Sequence, residues 1–234
     1  MQEEFLRTIM SIGEDGVEKL QKSSVLVFGI GGVGSYVIEA LARVGVGKIA
    51  VVDRDTVSLS NINRQLIALH STVGMDKVDV AIARIKDINP DCDAVGFKCF
   101  YTAEDSGGIE LADYDYIVDA IDTISSKILI AKTAYELDVP IISCMGTGNR
   151  MDPSRFRIAD IYKTHMCPVA KVMRYELKRR GVGKLKVLFS EEQPIKAHIT
   201  ENGRHAPASI SFVPPCAGMM IAGEVIRDLI KKVY

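Results

Sequence analysis

The stretch VLVFGIGGVGSYVIEALARV, residues 25–44, restricts the fold more than any other part of the chain. Residues 25–28 are a short apolar run of the kind buried in a parallel sheet. Val33, Val37, Ile38, Leu41 and Val44 then recur at helical spacing. A strand that enters a helix through Gly29-Ile30-Gly31-Gly32-Val33-Gly34 needs its glycines for separate reasons. Gly29 and Gly31 permit the tight turn and a close backbone approach to a phosphate, and Gly34 lets the helix pack near the strand. The first amides of that helix are unpaired and lie at the positive end of its dipole, so an anion is favoured there. A second apolar run, residues 49–52, ends in Asp53, an acid placed to accept hydrogen bonds from ribose hydroxyls. At this point NAD, FAD, S-adenosylmethionine and ATP all suit the crevice.

Residues further along narrow the choice. Asn61, Arg64 and Gln65 lie in NINRQLIALH, which reads as a loop entering a short helix. Arg64 brings a planar, permanently charged fork suited to phosphate oxygens. Lys77 opens a helix whose apolar stripe is Val78, Ala81, Ile82, Ile85 and Ile88, and falls off that stripe. Taken alone it reads as a solvated lysine, but a bound polyphosphate would explain a cation at a helix start. Residues 116–120 form a third buried run, with Asp119 and Asp122 near its carboxyl end, where open parallel sheets bind ligands. Asp122 suits Mg2+, which needs only one or two protein carboxylates, and could also cap the helix carrying Ile124, Ile128, Ala131 and Tyr135.

GIGGVGS, Asp53, NxNRQ at 61–65, GxxK at 74–77 and DAID at 119–122 together resemble the ATP-binding signature of the ubiquitin-activating-enzyme-like superfamily. The resemblance implies an α/β, Rossmann-like fold: a mainly parallel sheet with helices on both faces, extended by C-terminal mixed strands. It implies ATP held by Gly29, Gly31, Gly32 and Gly34, with Asp53 on the ribose and Asn61, Arg64, Gln65 and Lys77 on the phosphates. Arg64, Lys77 and Asp122 would carry the chemistry, Asp122 through Mg2+. The opening segment EEFLRTIMSIGEDGVEKL is similar to that of the superfamily, which places an arginine on a partner subunit's nucleotide. Arg7 is the candidate, and a homodimer is expected; the superfamily's usual arginine before Phe5 is Glu4 here.

Residues 145–181 and 209–226 resemble, more narrowly, the tRNA threonylcarbamoyladenosine dehydratase group. That resemblance implies ATP-dependent activation of the threonyl carboxylate of threonylcarbamoyladenosine in tRNA, then ring closure with net loss of water. A monovalent cation and a sulfur-relay protein partner belong to the same set of expectations. Some members carry a cysteine upstream of the final expected strand, whereas EEQPIKAHITENGRHAPA has none, so no thiol mechanism is carried over.

The chemistry is consistent with the residues. A carboxylate is a poor electrophile; transfer to the α-phosphate gives it AMP as a leaving group, and cations must neutralise the charge that builds on the phosphates. None of the five cysteines forms a CxxC pair, which removes the four-cysteine zinc signal. Cys167 and Cys216 read as small buried hydrophobes. With formal net charge −1 the chain is not globally basic, so any RNA-binding face is local. Residues 171–186 supply seven basic side chains against Glu176 alone, on a helix whose apolar side reads as Val172, Tyr175 and Leu177.

The length suits one adenylating domain over 1–234, with a nucleotide half at 1–145 and a substrate and dimerisation half at 146–234. Strands are expected near 155–160, 185–189 and 209–213. The apolar stretch 219–230 is expected to bury itself in the core or a subunit interface. Residues 191–208, with His198 and His205, read as a mobile loop covering the site. There is no signal-peptide pattern and no membrane-length apolar run, and unpaired thiols point to a cytoplasmic protein with no membrane partner. Three alternatives stay open: adenylation of the C-terminal glycine of a ubiquitin-like sulfur carrier, a nucleotide-holding or sulfur-relay module with little turnover, and a nicotinamide dehydrogenase. The last gives no account of Arg64, Gln65 and Lys77.

Overall fold

Strand β1 (Ser24–Phe28) lies in the interior of a seven-stranded sheet in a computed structural model that describes residues 3–195 and 207–231. Its neighbours are β2 (Lys48–Val52) and β4 (Tyr116–Asp119), both parallel to it. β3 (Asp93–Phe97) flanks β2, and β5 (Ile141–Cys144) flanks β4. β7 (Lys186–Ser190) continues the parallel set beside β5, and β6 (Phe156–Asp160) closes the edge antiparallel to β7. The order β3-β2-β1-β4-β5-β7-β6 reverses direction between β1 and β4, which opens a crevice at their carboxyl ends. The α/β, mainly parallel architecture and its mixed C-terminal edge are those expected from the sequence.

The central strands are mostly apolar because both faces are covered. Val25 and Val27 of β1 enter the cluster that holds α3 (Gly34–Val44), α4 (Lys77–Ile88) and α7 (Val213–Ile230). Leu26 and Phe28 point the other way, toward α5 (Ile124–Glu136). A third cluster joins α5 to α6 (Pro168–Arg179) beneath β7. The N-terminal α1 (Leu6–Ile12) and α2 (Glu14–Gln21) complete the first layer through Ile12, Val17 and Leu20.

Several sequence expectations are corrected. No strand forms at 209–213: residues 207–210 are irregular and α7 begins at Val213, with prolines in its first turn. Pro214 and Pro215 lack the N–H a ladder needs, but fit a helix start, where that N–H would be unpaired anyway. The apolar stretch near the C-terminus is therefore helix; it buries Ile221, Ala222 and Val225 against the core, while Met219 stays exposed. Gly218 allows α7 to approach α3, since a Cβ there would lie 2.5 Å from the Val33 carbonyl oxygen. NINRQLIALH does not enter a helix; a single 3-10 turn over Leu59–Asn61 precedes Arg64, and turns follow. α6 buries Ala170, Met173 and Leu177 rather than Val172 and Tyr175, which are exposed among the basic side chains. Residues 196–206, including His198 and His205, lie outside the described residues, and with them most of the cover expected over 191–208. Among the described residues no helix is long and apolar enough to cross a membrane.

Candidate nucleotide and acyl-transfer site

A cavity of about 820 Å3 opens over the carboxyl ends of β2, β1, β4 and β5. Its floor is the glycine turn. Gly29 has φ +89, and a Cβ there would come within 2.9 Å of the Ala120 carbonyl oxygen. At Gly34 a Cβ would lie 1.8 Å from the Gly29 carbonyl oxygen, so this glycine seals the turn behind the cavity without lining it. Gly31 is different: a Cβ there meets nothing within 4 Å, which leaves open volume above the first turn of α3. Asp53, at the end of β2, fixes the turn by accepting from the Ile30 amide at 2.7 Å through Oδ2 and from the Asp55 amide at 2.9 Å through Oδ1. Each carboxylate oxygen keeps a second lone pair for a ribose hydroxyl.

Lys77 corrects the view of a solvated side chain. The Lys77 amide donates to the Asp55 carbonyl at 3.1 Å, and Thr56 bridges to Asp76, so the start of α4 is drawn against the segment after β2. The lysine is 5% exposed, with Nζ 3.2 Å from Asp55 Oδ2 and 4.0 Å from Asp53 Oδ2, and it lines the cavity. Arg64 is half-buried; Nη1 donates to the Ser60 carbonyl at 2.9 Å and to Asn63 Oδ1 at 2.8 Å, so no carboxylate neutralises it among the described residues. Asn61 accepts from the Ser58 amide and borders the same space. Gln65 is buried, and its Oε1 has no hydrogen-bond partner among the described residues.

Asp122 is exposed at the cavity wall, where its contact is the Thr123 hydroxyl at 3.4 Å. It does not cap α5: Thr123 holds the N-cap position, and no side chain bonds the cap. Gly29, Gly31, Gly32, Asp53, Asn61, Arg64, Gln65, Lys77 and Asp122 all border this one cavity. Arg7 does not; it is exposed on α1.

Three features escaped the sequence reading. Lys127 and Asp119 form a buried ion pair at 2.9 Å, both side chains at most 1% exposed, and Ser143 Oγ donates to Asp119 Oδ2 at 2.5 Å. The DAID spacing drew attention to Asp122, while Lys127 reads as an ordinary helical lysine in ISSKILIAK. Phe28 and Tyr101 meet edge to face at 5.0 Å and supply an aromatic wall to the cavity beyond Asp53. Arg150, in the loop after β5, is buried at the other end. Its position after a parallel strand was the available signal.

Three cysteines, Cys99, Cys144 and Cys167, also border the cavity. Burial pushes the Cys144 thiol up to about 11, so it is neutral near pH 7 and a poor nucleophile. Cys167 is 4% exposed and donates through Sγ to the Met145 carbonyl, in keeping with a packing role. Cys216 is half-buried rather than buried.

The open volume over Gly31, the unpartnered Gln65 oxygen, the Lys77 and Arg64 cations and the aromatic wall are complementary to a nucleoside triphosphate. Asp122, an exposed carboxylate beside that volume, is a suitable ligand for a hydrated divalent cation.

Residues 5–233 match the model of the ThiF family. The chain is 46% identical to the tRNA threonylcarbamoyladenosine dehydratase of Bacillus subtilis over 249 aligned positions, covering 100% of this chain and 97% of that one. It is 35% identical to the enzyme of the same name from Escherichia coli, over 80% of this chain and 73% of the relative. A crystal structure of the E. coli tRNA N6-threonylcarbamoyladenosine dehydratase in complex with ATP superposes with TM-score 0.88 at 28% identity, covering 98% of this chain and 95% of that one.

Proposed function

The chain belongs to the ThiF family, and on that premise we propose that it is an ATP-dependent dehydratase acting on threonylcarbamoyladenosine in tRNA. The convergence of Lys77, Arg64, Gln65, Asp122 and the glycine turn on one cavity carries this reading. The nucleoside lies toward β2, with its ribose on Asp53 and its base against Phe28 and Tyr101. The triphosphate crosses the mouth of α3, and the acyl substrate enters from the β5 side. Residues 1–145 hold the nucleotide, and 146–234 shape the substrate side.

An oxygen of the threonyl carboxylate attacks the α-phosphorus, the bond to the bridging α–β oxygen breaks, and pyrophosphate leaves. The activated carbonyl is then attacked by a nitrogen or oxygen of the same side chain, the ring closes and AMP departs, with net loss of one water. Because that nucleophile is tethered to its electrophile, proximity supplies much of the rate advantage and no protein nucleophile is required. Lys77 and Arg64 stabilise charge that grows on the phosphate oxygens, from positions set before the substrate arrives. Loss of either should cost roughly 3–4 kcal/mol of transition-state stabilisation, about 10² to 10³ in rate. Mg2+ held by Asp122 would add Lewis-acid neutralisation of the phosphates.

The exposed face of α6, with Lys171, Lys178 and Arg179, is offered to the phosphate backbone of the tRNA. Arg174 and Lys186 are withdrawn from it: Arg174 Nη1 donates to the Thr164 carbonyl at 3.0 Å, and Lys186 pairs with Glu224 and Asp228. In a homodimer, Arg7 of one subunit would reach the nucleotide of the other. A cytoplasmic location suits a tRNA substrate.

The test is incubation with ATP and total tRNA, followed by nucleoside mass analysis. The expected result is ATP-dependent loss of one water from threonylcarbamoyladenosine. An unchanged nucleoside spectrum, together with pyrophosphate exchange that requires a Gly-Gly-tailed small protein, would overturn the reading in favour of a sulfur-carrier enzyme.

A further inference from the structure

Arg150 is 5% exposed, and it borders the cavity. Its Nη1 reaches the carbonyl of its own neighbour Asn149 at 3.4 Å, and its Nε has no hydrogen-bond partner among the described residues. Among the described residues no carboxylate lies within ion-pairing distance of it. The other buried cations on this cavity are paired, Lys77 with Asp55 and Lys127 with Asp119. A guanidinium stays charged at any pH a protein survives, so a buried one without a counter-charge is costly unless a ligand supplies the anion.

The side chain is also held in place. The Asn149 amide donates to the Ala208 carbonyl at 2.7 Å, and the Ala208 amide donates back to Asn149 Oδ1 at 2.8 Å. The Ile195 amide donates to the Asn149 carbonyl at 2.9 Å. The residue before Arg150 is thus pinned between two segments of chain, which presets the guanidinium before any ligand arrives.

Its position selects the anion. Asp53 ends β2, and the Arg150 loop leaves β5, three strand spacings away, or about 14 Å at the usual separation of strands. The triphosphate over Gly31 already has Lys77, Arg64 and the start of α3. The substrate carboxylate, which must approach the α-phosphorus from beyond Asp122, has no cation among these. A planar fork with a free Nε edge matches a carboxylate in two parallel hydrogen bonds.

We infer that Arg150 is the specificity-determining residue that grips the substrate's carboxylate and delivers it to the α-phosphorus. This rests on the tRNA reading above. It makes the threonyl carboxylate, rather than RNA shape alone, the feature that separates modified from unmodified adenosine.

The test compares wild type, Arg150→Gln and Arg150→Lys in equilibrium binding, with a non-hydrolysable ATP analogue present. The probes are an anticodon stem-loop carrying threonylcarbamoyladenosine and the same RNA with plain adenosine. Affinity for the analogue alone is measured in parallel. Wild type should prefer the modified RNA by roughly 10- to 100-fold, the range of a hydrogen-bonded charge contact. Arg150→Gln should bring the two RNAs within about twofold of each other, and Arg150→Lys should restore part of the preference, with analogue affinity unchanged throughout. Arg150→Gln should also raise the thermal midpoint of the ligand-free protein, because it removes an uncompensated buried charge. An intact preference in a folded Arg150→Gln overturns the proposal, as does a lowered midpoint in both variants. Reduced analogue affinity with the preference retained assigns Arg150 to the terminal phosphates instead. Wild type that neither prefers nor dehydrates the modified RNA refutes the substrate reading itself, and the ligand proposed for Arg150 with it.

Discussion

Replacing Lys127 with methionine should destabilise the fold far more than replacing it together with its partner. The ammonium lies 2.9 Å from Asp119 Oδ2, the two side chains are 1% and 0% exposed, and Nζ also donates to the Ile121 carbonyl at 3.2 Å. Lys127→Met keeps most of the side-chain volume but leaves the Asp119 carboxylate buried, with the Ser143 hydroxyl and no counter-charge. Breaking a buried pair on one side costs about 3–5 kcal/mol. At about 2–4 °C per kcal/mol for a chain of this size, the thermal midpoint should fall by roughly 6–20 °C. Asp119→Asn alone should also be costly, since it strands the ammonium. The double variant Asp119→Asn/Lys127→Met holds no buried charge at the pair and should recover most of the loss. Guanidinium unfolding of the four proteins, followed by circular dichroism with the slope checked for constancy, gives the coupling energy directly. A single-variant loss below about 1 kcal/mol, or two losses that simply add, would refute the reasoning that charge burial rather than packing holds β4 to α5.

Other expectations follow from the same geometry. Gly31→Ala should leave the thermal midpoint within a degree or two of wild type yet raise the KM for ATP, because its Cβ enters open cavity space; Gly34→Ala should fail to fold stably, because its Cβ would sit 1.8 Å from a carbonyl oxygen. An unaffected KM in the first variant, or a stable second one, contradicts the floor described for the site. Burial pushes the thiols of Cys92 and Cys144 up to about 11 from 9.0, so their neutral forms contribute stability in full below about pH 9, and that contribution is lost as pH rises from 9 through 11. Denaturation midpoints at pH 8, 9.5 and 11 should therefore fall with a slope that the Cys92→Ala/Cys144→Ala variant flattens; an unaltered slope would argue against it. Lys171→Glu/Lys178→Glu should weaken tRNA binding and reduce its salt dependence by about one unit of log–log slope for each phosphate no longer neutralised, leaving ATP affinity unchanged. Identical salt slopes would remove α6 from the RNA face.

The parts of the site that sequence revealed are those whose chemistry is written locally. The glycine turn and Asp53 lie at the ends of consecutive apolar strands, and the period of the following helix fixes where the turn must stop. Arg64, Gln65 and Asp122 were recognisable because their order matches a family signature, although the helix expected after Arg64 is a set of turns. Burial of Lys77 was not legible, since it depends on the segment after β2 folding back against Asp76, a pairing made twenty residues apart. Lys127, Asp119 and Ser143 come from three successive elements and look unremarkable until β4 and β5 bring them together. The strand expected at 209–213 failed for a local reason instead: its apolar residues run into Pro214 and Pro215, and the helix they start competes successfully with an edge strand.

The central claim is that this cavity makes the α-phosphorus of ATP accept an oxygen from the substrate's carboxylate. Turnover of tRNA whose threonyl carboxylate carries oxygen-18 tests it most directly. The account predicts AMP with one labelled oxygen, together with unlabelled pyrophosphate. Label in inorganic phosphate with ADP as the nucleotide product, or unlabelled AMP, would contradict it.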